Sequence, residues 1–84
     1  MSKLEKEIER LKSRPKDYTY NELKTLLNKL GFLEYNKGKT SGSRVEFQDY
    51  LGRKMVLHKP HPSNILKKYQ INSILNDLRE MEVI

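Results

Sequence analysis

Arg44-Val45-Glu46-Phe47-Gln48, the turn Asp49 to Arg53, and Lys54-Met55-Val56-Leu57-His58 form the stretch that decides the fold. Val45 and Phe47 alternate with Arg44, Glu46 and Gln48. Successive side chains of a strand point to opposite faces, so this pattern predicts a strand with one buried face. Gly52 and its neighbours supply a hairpin turn. Lys54 to His58 predicts the returning strand, with Met55, Val56 and Leu57 as its apolar part. Pro60 and Pro62 carry no N–H for a ladder and end it. An antiparallel return brings His58 back toward the Ser43–Arg44 end.

Upstream, Leu33 and Tyr35 flank Glu34, the alternation of a short strand, and 36–42 is a polar, glycine-containing connection. Before it the period lengthens. Thr19 and Glu22 make a capping box, and Tyr18 is placed to staple onto Leu23. Leu23, Leu26, Leu27 and Leu30 then share one helical face. Gly31 suits the position just past the helix, with Phe32 packing back on the last turn. Leu4, Ile8 and Leu11 predict a further short amphipathic helix that Pro15 ends. Downstream, Ile71, Ile74, Leu75, Leu78 and Met81 predict a last helix starting near Lys68 to Gln70, with Ser63 to Lys67 as a loop. The order is α-α-β-β-β-α. It predicts an α+β fold: a three-stranded antiparallel sheet with helices on one face. We read 1–84 as a single domain, with an extra N-terminal helix over 1–14 and an α-β-β-β-α core over 18–82. That core has the element order of a double-stranded-RNA-binding domain.

At 84 residues the chain is too short for a multi-domain enzyme with its own cofactor-binding half. It has no cysteine, which excludes disulfides and cysteine-based metal sites. No apolar run is long enough to span a membrane. Charges alternate from Lys3 to Arg10, unlike a signal peptide, so the expected location is the cytoplasm. The net charge is +6. Residues 36–69 hold eight cations against Glu46 and Asp49, and the flanking segments cancel one another. A basic excess confined to one segment is the footprint expected of a phosphate-binding surface.

Gly38-Lys39-Thr40 resembles part of a phosphate loop. The full pattern needs glycine at 33, which is Leu33, and the segment leads into a strand, so nucleotide hydrolysis is excluded. The stretch Lys37 to Arg44 still lets backbone approach a phosphate between cations. His58-Lys59-Pro60-His61-Pro62 holds both histidines. A catalytic zinc site usually wants three protein ligands and no third is evident nearby, so no metal and no cofactor are expected. Histidine is also the usual acid or base near neutral pH. Of the tyrosines at 18, 20, 35, 50 and 69, some could stack on bases. No nucleophile elbow or Ser/His/Asp arrangement is present.

Gly31-Phe32 after a leucine-rich helix, Gly42-Ser43-Arg44, the strand around Phe47 and His58-Lys59-Pro60-His61-Pro62 together resemble the HicA toxin family of mRNA interferases. Pro15 to Thr19 and Lys68 to Ile71 extend the likeness. The resemblance implies a fold similar to a double-stranded-RNA-binding domain, RNA cleavage without a metal, and a HicB antitoxin that covers the active site. The family's usual catalytic residue is the histidine of a Gly-Ser-His motif; here that position is Arg44. Arginine stays protonated and cannot act as an ordinary base, but it suits bidentate phosphate contact. Two readings follow. In one, Arg44 stabilises the transition state while His58 or His61 transfers protons. Lys37, Lys39, Ser43, Arg44, Lys54 and Lys59 then bind the mRNA. In the other, the chain binds RNA or the antitoxin without chemistry. A third reading makes it a protein-interaction module whose 36–69 patch meets an acidic partner.

Overall fold

Val45 and Phe47, with Met55 and Leu57 opposite, are the buried positions of the hairpin in a computed structural model that describes residues 2–35, 44–60 and 63–84. The elements run α1 (Lys3–Lys12), α2 (Tyr20–Lys29), β1 (Leu33–Tyr35), β2 (Arg44–Gln48), β3 (Lys54–His58) and α3 (Lys68–Glu80). The fold is α+β. The three strands pair antiparallel in the order β1-β2-β3, with β2 central. Inward side chains of β2 and β3 join leucines and isoleucines of the helices in one core; Leu11, Leu23, Leu27, Phe32, Phe47, Leu75 and Leu78 have no exposed surface. The opposite face of the sheet stays open among the described residues.

The helix ends are set by local chemistry. Thr19 and Glu22 form the expected capping box: the Thr19 hydroxyl accepts from the Glu22 N–H at 3.1 Å, and the Glu22 carboxylate accepts from the Thr19 N–H at 3.2 Å. Ser2 and Glu5 form a second box on α1. Gly31 takes φ +95°, and Phe32 N–H bonds back to the Leu27 carbonyl at 2.8 Å, so α2 ends where the glycine predicts. Arg10 ties α1 to α2 through Glu22 at 2.6 Å and lies over the Tyr18 ring. The hydrogen bond from Arg10 holds the Glu22 carboxyl below its ordinary range.

The end of α3 has the same geometry without glycine. Val83 N–H bonds to the Leu78 carbonyl at 2.9 Å, and Glu82 adopts φ +58°. A side chain in that left-handed region crowds its own carbonyl, and a carboxylate opposes the negative end of the helix dipole. Glu82→Gly should therefore stabilise the protein by about 0.5–1 kcal/mol, a rise in Tm of about 3–6 °C by calorimetry.

Two expectations are refined. Ser63 to Lys67 is more than a loop: Ile65 bridges Thr19, Tyr20 N–H donates to the Asn64 carbonyl at 2.9 Å, and Leu66 is buried. This short pairing leads the chain into α3, which starts at Lys68. In β1 the polar residue turns inward. Glu34 accepts from the Tyr20 hydroxyl and pairs with Lys24, while Leu33 and Tyr35 face solvent. Burial and the bond to Glu34 both raise the Tyr20 hydroxyl above its ordinary range.

Candidate functional site

The phase of the β2–β3 ladder decides which side chains meet. Asp49 N–H donates to the Arg53 carbonyl at 3.1 Å, which makes these two a hydrogen-bonded pair. Pair types alternate along an antiparallel ladder, and Arg44 faces His58 in register. Counting back from Asp49–Arg53 makes Arg44–His58 a non-hydrogen-bonded pair, with Cα atoms about 4.5 Å apart and side chains on one face. A second contact agrees: the His58 carbonyl points away from β2 and accepts from the Gln70 side-chain amide at 2.8 Å. Arg44 and His58 are thus nearest cross-strand neighbours at one end of the open face, both exposed.

Among the described residues, three cross-strand rows make up that face. Arg44 and His58 form one end, Tyr35, Glu46 and Val56 the middle, and Leu33, Gln48 and Lys54 the other end. Lys54 therefore lies at the turn end, opposite Gln48, and is not brought beside Arg44. Its ammonium instead pairs with Glu46 at 3.9 Å. Lys59 leans to the helix side, with its ammonium 5.4 Å from the centre of the Tyr20 ring. Lys37, Lys39, Ser43 and His61 lie outside the described residues, as does the Gly38-Lys39-Thr40 stretch.

Not every cation of the basic segment is available to a ligand. Arg53 is committed to structure: its guanidinium bonds Asp49 at 2.7 Å and the Met81 carbonyl at 2.9 Å, locking the turn to the end of α3. Burial alone would raise the Asp49 carboxyl. The Arg53 guanidinium and the N–H groups of Arg53 and Leu51 outweigh it, and the carboxyl titrates below its ordinary range. Other cations gather where the sequence does not place them together. Arg14 and Lys16, past the end of α1, line a basin of about 440 Å³ with Lys67 and Lys68 at the start of α3. Arg14 reaches this position through φ +51°, held by its bonds to the Lys12 carbonyl and Asn72. Glu46, an outward position of the β2 alternation, also stands on the open face, and no motif in the sequence marks it.

Among the described residues, no helix is long and apolar enough to cross a membrane. Comparison with known proteins adds one finding. No curated protein and no solved structure matches the chain. The family model for the HicA toxin of bacterial toxin-antitoxin matches residues 20–80, from the start of α2 to the end of α3. Those residues include the whole sheet and the Arg44–His58 pair, and with most of its length matched the chain belongs to the HicA toxin family of toxin-antitoxin systems.

Proposed function

We propose that this chain is a toxin that binds and cleaves mRNA in the cytoplasm without a metal, and that a HicB-type antitoxin neutralises it. The observation that carries the reading is the Arg44–His58 pair, side by side on the open face of a HicA-family chain. Cleavage of RNA by its own 2′-hydroxyl needs a base, an acid for the leaving oxygen and a donor for the charged phosphorane. Arg44 serves as the donor, through two parallel N–H bonds to phosphate oxygens. His58 serves as the acid, with His61 as the second histidine of the strand exit. Lys37, Lys39, Ser43, Lys54 and Lys59 hold the RNA backbone, and residues 1–84 act as one domain because Leu11 of α1 is buried in the shared core.

Inducible expression in a bacterium tests the proposal. Growth should stop and transcripts should be cut, and co-expression of the antitoxin should restore both. The purified chain should cut RNA in the presence of a chelator. Growth arrest with intact transcripts, or RNA bound and left whole, would instead support binding without chemistry. The fixed charge of Arg44, where the resemblance places a histidine, is what favours that second reading.

A further inference from the structure

We propose that Glu46 is the general base of the cleavage reaction and takes the proton from the RNA 2′-hydroxyl; the assignment rests on the ribonuclease reading above. Only two acids stand among the eight cations of residues 36–69. A carboxylate on a surface that binds phosphate repels its ligand, so each of the two calls for a reason. Asp49 has one: its oxygens close the β2–β3 turn through Leu51 and Arg53. Among the described residues, Glu46 has no comparable structural duty. It sits at the centre of the open face. One of its oxygens, Oε2, is sealed from solvent with no hydrogen bond among the described residues. Its ion pair with the half-exposed Lys54 spans 3.9 Å, and such pairs add little stability.

Its position fits the chemistry. An in-line displacement puts the attacking and leaving oxygens on opposite sides of phosphorus. Base and acid must therefore stand apart, with the cation beside both. Arg44 is directly opposite His58 and two residues from Glu46 on the same face. Glu46 and His58 are diagonal neighbours across the β2–β3 pair, roughly 7–8 Å apart. Among the described residues, the charged and titratable groups around Glu46 are Arg44 on its own strand, Lys54 and His58 on β3, and Tyr35 opposite it on β1. Tyr35 is 44% exposed and offers its ring to a base next to the reacting ribose.

In the step itself, the Glu46 carboxylate accepts the 2′-hydroxyl proton and the 2′-oxygen bonds to phosphorus. The bond from phosphorus to the 5′-oxygen breaks, and His58 in its protonated form gives that oxygen a proton. The products are a 2′,3′-cyclic phosphate and a 5′-hydroxyl.

The test uses the full chain and an oligoribonucleotide with chelator present, across a range of pH. Glu46→Gln should lower kcat at pH 7 about 10²–10³-fold and abolish the rise of kcat/KM on the acid side. It should still bind a 2′-O-methyl analogue at least as well as the parent, since it has lost a negative charge. Glu46→Asp keeps the charge on a shorter stem. It should retain the acid-side rise at a reduced rate, and it carries the test if Glu46→Gln does not fold. A Glu46→Gln variant with the parent's rate or pH profile overturns the assignment and leaves the ribonuclease reading intact. Product ends without a cyclic phosphate overturn it as well. A parent chain that cuts no RNA overturns both.

Discussion

Phe47→Ala is expected to destabilise the protein by about 3–5 kcal/mol, a large part of the roughly 5–10 kcal/mol that holds a chain of this size folded. Phe47 has no exposed surface, lies on the central strand, and meets Tyr20 of α2 with ring centres 6.3 Å apart. Its side chain fills the junction of sheet and helices, so truncation leaves a cavity that β2, paired on both edges, cannot close. Urea unfolding should show a large fall in midpoint. Leu33→Ala is the control. Leu33 is 64% exposed on an edge strand, and its loss should change stability by no more than about 0.5 kcal/mol. Equal effects at the two positions would mean that the faces of the sheet are wrongly assigned.

Arg44→Ala and His58→Ala should each lower RNA cleavage without unfolding the protein. Losing the donor at the phosphorane should cost about 10²–10³-fold in kcat, and losing the acid about 10²–10⁴-fold. Both side chains are exposed, so thermal unfolding should stay close to that of the parent. Arg44→Lys keeps the charge but loses the planar fork, and should recover only part of the rate. The double variant should fall well short of the product of the two single losses, because the groups act on one phosphate. Cleavage at the parental rate by either single variant would remove that residue from the proposed mechanism.

Much of the fold is legible in the sequence because the signals are local. Period-2 alternation over 44–48 marks β2, the T-x-x-E box starts α2, and Gly31 ends it. These patterns act over a few residues and need no knowledge of distant parts of the chain. Where a reading was incomplete, a distant partner decided. Leu33 and Tyr35 read as alternating apolar positions, yet β1 pairs so that they share the open face with Gln48 and Glu46. Glu34 turns inward because Tyr20 and Lys24 of α2 meet it there. Ile65 and Leu66 have too short a pattern to predict a strand, and their pairing comes from Thr19 and Tyr18.

The candidate site divides in the same way. Sequence by itself determined the elements, the segment that carries the basic excess, and the likeness to a toxin family, all of which follow from residue type and spacing. Tertiary structure decided which of those residues meet. It set Arg44 against His58, moved Lys54 to the far end of the hairpin, committed Arg53 to the turn, and placed Glu46 at the centre of the open face. It also gathered Arg14 and Lys16 with Lys67 and Lys68, which stand some fifty residues apart in the chain. The physical reason is that strand register is a property of two segments. A slip of one residue turns every side chain to the other face, and the Asp49–Arg53 turn and the shared core exclude that slip.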